Sequence, residues 1–218
     1  RVDDMSRITV GPDSAGSEPG PACYGLGGNH ATVTDANLAL GKLDPDRFAG
    51  GKISLSQQEA QKVLDRDVGN KLGLKAHWSA AGVVEIVEEN MANAARVHAI
   101  ERGKVVNRHT MIAFGGGAPL HAGRLAQKLG ISTIIVPKGA GVGSAIGFLR
   151  APVSFEVVRT LSLSFSNFEA KRVNDLLAEM RQEALAVVED GVSDSRNLKE
   201  TRIVELRYAG QGHDLRIP

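Results

Sequence analysis

A single cysteine, Cys23, is the whole thiol content of this 218-residue sequence, so no disulfide can form within the chain, and that usage fits a reducing compartment. Charge of either sign is missing as an excess. The 26 lysines and arginines stand against 25 aspartates and glutamates, leaving a formal net charge of +1 without long like-charged runs. The summed field gives no reason to expect a nucleic-acid backbone as partner. No apolar run approaches the ~20 residues needed to span a bilayer, and no signal peptide opens the sequence, so a cytoplasmic protein with no membrane partner is expected. Two nucleotide fingerprints are also lacking. No G-x-x-x-x-G-K-[ST] loop occurs, and the Rossmann pattern fails because Leu120 stands where its third glycine would be.

What is present suits one large or two small globular domains: 42% hydrophobic residues, 23% charged and only 4% aromatic. Most of the 25 glycines fall between residues 11 and 147, a concentration that points to ligand-facing loops rather than a flexible linker. The stretch from Met111 to Gly130 organises the rest. Met111, Ile112, Ala113 and Phe114 form an apolar run without alternation, expected as a strand buried on both faces. Gly115, Gly116 and Gly117 then permit a tight turn whose backbone can approach a ligand. Pro119 suits the first turn of a helix, and Gly130 is placed to end it. Residues 131–136 read as a second buried strand. In an open α/β sheet, ligands bind beyond the carboxyl ends of strands, and a glycine turn feeding a helix leaves amide donors free for an anion or a nucleotide. Close packing of strand and helix is the bland alternative for the same glycines.

The remaining segments order themselves around that unit. Residues 1–10 resemble strand material around a polar turn at Asp3 and Asp4. Residues 11–28 are too rich in glycine and proline for a regular element, yet Ala22, Cys23 and Tyr24 in their midst favour an ordered loop lining a site over a disordered linker. Residues 31–43 read as a short strand turning into a helix. Asp35 at the junction could meet a nucleotide-bound metal, orient an attacking group, or cap the helix. Ser56 to Glu59 is a capping box opening a structural helix. Residues 79–102 form the longest helix of this part, with Val83, Val84, Val87, Met91, Ala94, Ala95 and His98 on the apolar stripe and Glu85, Glu88, Glu89, Asn93 and Arg96 on the wet side. His98 is read as a packing residue. His121, in the first turn after the glycines, either touches a ligand or lies on the helix surface. Lys138 follows the second strand, where it could meet a phosphate or stay solvated. Beyond residue 151 the pattern changes to alternation between Val153 and Phe165, a one-sided strand. A second capping box at Ser166 to Glu169 then opens a helix, strand material runs from Ile203 to Tyr208, and a returning strand begins at Asp214.

The segments 11–25, 32–43, 113–122 and 136–147, with Arg207 to Gln211 near the end, together resemble the hydantoinase A / 5-oxoprolinase family, including related subunits of ATP-dependent ketone carboxylases. The resemblance implies an α/β fold: part of an actin-like (sugar kinase/Hsp70-type) ATPase domain over residues 1–150, followed by part of an α+β domain over 151–218. It implies ATP and Mg²⁺ as cofactors, with Gly115, Gly116, Gly117, Ala118 and Thr34 contacting nucleotide and Asp35 near the phosphates or metal. The implied reaction is ATP-dependent opening of a cyclic amide by phosphorylation of its carbonyl oxygen; the alternatives are a nucleotide-binding subunit of a ketone carboxylase and a non-catalytic assembly module. A hydantoinase B-type subunit and an oligomer are the implied partners. Family loops of the form Asp-x-Gly-Gly-Thr do not occur in the sequence, so a C-terminal fragment of a longer polypeptide is expected, inactive by itself.

Overall fold

The computed structural model describes residues 1–192 and 197–218, which divide into two compact units, Arg1–Gly147 and Phe148–Pro218. The first is a helical body carrying a small parallel sheet. Val2 and Ile8 form an antiparallel bridge around a turn in which Asp3 accepts from the amides of Met5 and Arg7. After the loop 11–28, helix α1 spans Val33–Ala39, so the strand expected just before it is extended chain leading into a cap. Thr32 supplies that cap: its side chain accepts from the Asp35 amide, while Asp35 accepts from the Thr32 amide.

Helix α2 (Gln57–Leu64) starts where Ser56 accepts from the Glu59 amide, as the sequence indicates, and runs through a wide π turn (Asp65–Gly69) into a single turn, α3 (Asn70–Leu72). The long helix α4 (Ala76–Glu101) lies across α1 and α2. Ala36, Leu64, Val68, Ala80, Val83 and Val84 close a core between these helices, and Cys23, Leu38, Leu55 and Ala60 close a second beside it. Apolar area removed from water at both is the main stabilisation of this unit. The stripe read along α4 holds for its first half only: His98 is exposed, not packed, as are Val97 and Ile100.

Strand β1 (Met111–Ile112) pairs in parallel with β2 (Ile134–Ile135), with Met111 opposite Ile134 and Ile112 opposite Ile135. Helix α5 (Pro119–Leu129) makes the crossover and ends at Gly130, whose φ of +68° is the left-handed conformation a glycine adopts without penalty. The strand, glycine turn, helix, strand order therefore stands, but its strands are not buried on both faces. Ile112 is 60% and Ile135 48% exposed: α5 is the one described helix with more than marginal contact to this two-stranded sheet. Helix α6 (Gly143–Arg150) follows, with Gly143 set against the Phe114 ring: a Cβ there would meet it at 3.2 Å.

In the second unit, helix α7 (Ala170–Val188) and an antiparallel hairpin of β3 (Val204–Leu206) and β4 (Leu215–Ile217) match the elements expected there. Two expectations fail. Residues 153–164 form no strand, and no described strand pairs with them, although Val157, Leu161 and Leu163 stay less exposed than their neighbours. Ser166 does not cap α7 either: residues Phe165–Asn167 make a 3-10 turn, and the helix starts later, after Glu169.

Candidate functional site

The glycine turn lies at the carboxyl end of β1, where an α/β unit leaves room for a ligand. Gly115 takes φ +93° and donates its amide to the Ala140 carbonyl at 2.7 Å, which ties the turn to the loop after β2. Gly116, Gly117 and Ala118 are exposed, and a Cβ built on either glycine would meet nothing within 4 Å. Among the described residues none accepts a hydrogen bond from the amides of Gly116, Gly117 or Ala118, and Ala118 caps α5 without a side-chain bond. Such amides at a helix N-terminus carry partial positive charge and can receive an anion or the polar edge of a ligand. Beside the turn lies a cavity of about 260 Å³ lined by Phe114, Pro137, Lys138, Gly139, Gly143 and Ile146, so the ends of β1 and β2 open onto one space with a lysine among its lining residues.

Asp35 occupies a different environment. It is wholly buried, and its two oxygens accept from the amides of Cys23 (2.8 Å), Thr32 (2.9 Å) and Ala22 (3.4 Å) and from the Thr32 hydroxyl (2.7 Å). A carboxylate so engaged fixes the loop 11–28 onto the start of α1; the Thr-x-x-Asp spacing signals its capping of the helix and not its hold on the loop. Binding a metal would require it to give up those donors. Among the described residues no group of three His, Cys, Asp or Glu side chains is arranged to hold a metal ion. Thr34, one position earlier, is half-buried in the first turn of α1. Cys23 is free and buried; desolvation pushes its thiol far up, and the neighbouring Asp35 carboxylate adds to the effect, which removes it as a nucleophile.

Reading the sequence alone missed a buried polar cluster. His121 is 6% exposed and neither on the surface nor in the turn's opening. Its Nδ1 lies 3.1 Å from Glu88 Oε1 and its Nε2 3.3 Å from Asn37 Nδ2. Glu88, expected on the wet side of α4, is 2% exposed and also accepts from Lys42 Nζ at 3.2 Å. Lys42 reaches on to the Leu120 carbonyl at 3.4 Å. The cluster joins α1, α4 and α5, and so ties the helix bearing Thr34 and Asp35 to the one that begins at the glycine turn. A signal existed: Ala80, Val84, Glu88 and Ala92 fall at i+4 intervals, so Glu88 lies in the buried stripe and demands partners.

On the outside of the same pair of helices, Lys128 on α5 donates to Glu85 Oε1 (2.6 Å) and Glu89 Oε2 (2.8 Å) on α4, and Arg96 donates to the Lys128 carbonyl at 2.9 Å. The Lys128 ammonium holds both glutamates below the usual carboxylate range, and Glu85 raises Lys128 in return. A larger cavity of about 460 Å³ between Arg7, Ile8, Thr9, Val10, Ile86 and Asn90 contains none of the residues singled out from the sequence. No described helix is long and apolar enough to cross a membrane.

Comparison with known proteins gives these features a context. The family model described as hydantoinase/oxoprolinase matches residues 1–157. The caprolactamase subunit alpha of Pseudomonas jessenii is 33% identical over 216 residues, covering 98% of this chain and 31% of that protein; the crystal structure of ATP-dependent caprolactamase from the same organism superposes with a TM-score of 0.67 at 32% identity, covering all of this chain and 32% of that one. The acetophenone carboxylase gamma subunit of Aromatoleum aromaticum is 40% identical over 142 residues, 65% of this chain and 19% of its own length. A nucleotide-free structure of acetone carboxylase, from work on ATP-dependent acetone carboxylation, matches the whole chain at 25% identity with a TM-score of 0.69, across 32% of its own length. The chain thus spans about a third or less of the relatives it matches. With a family model over most of its length and two matching structures, the chain belongs to the hydantoinase/oxoprolinase family.

Proposed function

We propose that the intact protein uses ATP to open a cyclic amide, and that the turn at residues 115–118 supplies backbone contacts to the nucleotide. The observation that carries this reading is a turn whose amides have no partner among the described residues and whose Gly116 and Gly117 Cβ positions are open, at the end of a parallel strand, in a chain 33% identical to a subunit of a caprolactamase. An amide is a poor electrophile; ATP, when bound, would supply a phosphoryl group to the carbonyl oxygen, releasing ADP, so that the carbon accepts water, the ring C–N bond breaks with its nitrogen leaving as the amine, and the phosphate is lost by hydrolysis. This chain's own residues position rather than react. The amides of Gly116, Gly117 and Ala118 present donors to the nucleotide, and the open Cβ positions let its bulk approach the backbone. Lys138 screens negative charge at the wall of the cavity. Thr34 is proposed as a polar contact from α1, and Asp35 as the anchor that holds the 11–28 loop in place.

ATP in its Mg²⁺ form suits this role, but the described residues offer no carboxylate cluster for the cation and Asp35 is already engaged, so no step is assigned to the metal. The 1–150 segment is proposed to be part of an actin-like ATPase domain, 151–218 the start of an α+β domain, and the working assembly to include a hydantoinase B-type subunit and to act in the cytoplasm. A ketone carboxylase is the second reading, favoured by the 40% identity to the acetophenone carboxylase subunit.

ADP release by the intact protein with its companion subunit separates the readings. Stimulation by caprolactam, hydantoin or 5-oxoproline, with a ring-opened acid as product, is expected. Stimulation by acetone or acetophenone only in the presence of bicarbonate supports the carboxylase instead. No nucleotide binding at all leaves an assembly module.

A further inference from the structure

The glycine turn has no side chain to hold its shape; the Gly117 and Ala118 carbonyls accept from the amides of Leu120 and His121, both at 3.1 Å, so its geometry follows those two residues. Two glycines carry no side chain, and the helix that follows has no side-chain cap. Upstream, the Gly115 amide is clamped to the Ala140 carbonyl. Downstream, the first fixed points are Leu120, whose carbonyl accepts from Lys42, and His121, whose ring is gripped on both nitrogens. His121 Nδ1 faces the Glu88 carboxylate that Lys42 also contacts, and Nε2 faces the Asn37 side-chain amide, so a proton on Nδ1 satisfies Glu88 and a lone pair on Nε2 satisfies Asn37 Nδ2. Asn37 Oδ1 is buried and has no hydrogen-bond partner among the described residues.

We infer that His121 is a positioning residue: through Glu88, Asn37 and Lys42 it fixes the first turn of α5 and so aims the amides of Gly116, Gly117 and Ala118. This rests on the reading that the turn contacts nucleotide. The cluster bridges α1, α4 and α5, so it transmits the position of α1 and α4 to the turn, and a shift of α5 by a fraction of an ångström redirects all three donors together.

The test is calorimetric titration of ATP into the intact protein and three variants, at a temperature where circular dichroism shows each to be folded. Gly116→Asp is the control for the turn. His121→Ala is expected to weaken ATP binding about tenfold or more, whereas His121→Asn, which keeps a donor near the Nδ1 position, should bind within about threefold of the parent. A merely structural histidine would lower the melting temperature in both variants and leave the affinity of the folded protein unchanged. If Gly116→Asp loses binding while His121→Ala, still folded, binds as the parent does, the positioning role is overturned and the turn reading survives; if Gly116→Asp binds normally, both fall. Should His121→Ala not fold, the ¹⁵N shifts of the His121 ring in the parent protein decide. A change in those shifts on adding ATP supports the role, and shifts unmoved by saturating ATP contradict it.

Discussion

The Cys23 amide donates to Asp35 Oδ1 at 2.8 Å across twelve positions of sequence, and both residues are wholly buried. With the Ala22 amide at 3.4 Å from Oδ2, this bond closes the glycine- and proline-rich loop onto the start of α1, and it gives the loop an address in the fold that its composition alone does not specify. Removing the carboxylate strands the donors gathered on it. Asp35→Ala should cost roughly 3 kcal/mol or more in urea unfolding, and Asp35→Asn, which keeps one accepting oxygen, about half as much. Equal losses in the two variants would mean that the carboxylate is not the acceptor holding the loop.

Cys23 shares that burial. With the thiol shielded and pushed upward by desolvation and by Asp35, it should react with a disulfide reagent on the order of a hundredfold more slowly in the native protein than in urea. Labelling rates followed by absorbance check this, and fast native labelling would show that the loop 11–28 opens readily.

The ion pairs on the outer face of α4 and α5 set a pH window. Glu85 and Glu89 are lowered in the folded chain, so the stability they contribute is present above the ordinary glutamate value of about 4.3 and is lost as pH falls through their depressed values. Lys128 is raised, so its share persists through neutrality and fades only above about pH 10.4. Melting temperatures measured between about pH 5 and pH 3 should fall more steeply for the parent than for Lys128→Met, and added salt should narrow the gap. Parallel acid limbs would show that these exposed pairs add nothing.

The order strand, glycine turn, helix, strand was legible because each part obeys a local rule: an apolar run, glycines at the turn, Pro119 at the helix start and Gly130 at its end. Burial was not. Ile112 and Ile135 look like interior residues by composition, yet exposure depends on what packs against the sheet, and local sequence cannot supply that. Glu88 and His121 were misplaced for the converse reason. A charged residue is normally wet, and only its i+4 spacing from Val84 and Ala92 betrays that it faces inward. Asp35 was seen as important from its place at the junction, while its partners, the amides of Ala22 and Cys23, come from a loop whose path no periodicity reveals. The strand expected at 153–164 shows the same dependence: alternation marks a face, but a strand exists only where a neighbour offers an edge.

The most direct measurement is ATP affinity of the intact protein with and without Gly116→Asp, read by calorimetry. A Cβ at this position meets nothing within 4 Å, so the variant should fold normally and place a carboxylate where the nucleotide is expected. A loss of affinity of about tenfold or more at unchanged melting temperature is the expected result. Equal affinity in the two proteins would contradict nucleotide contact at this turn.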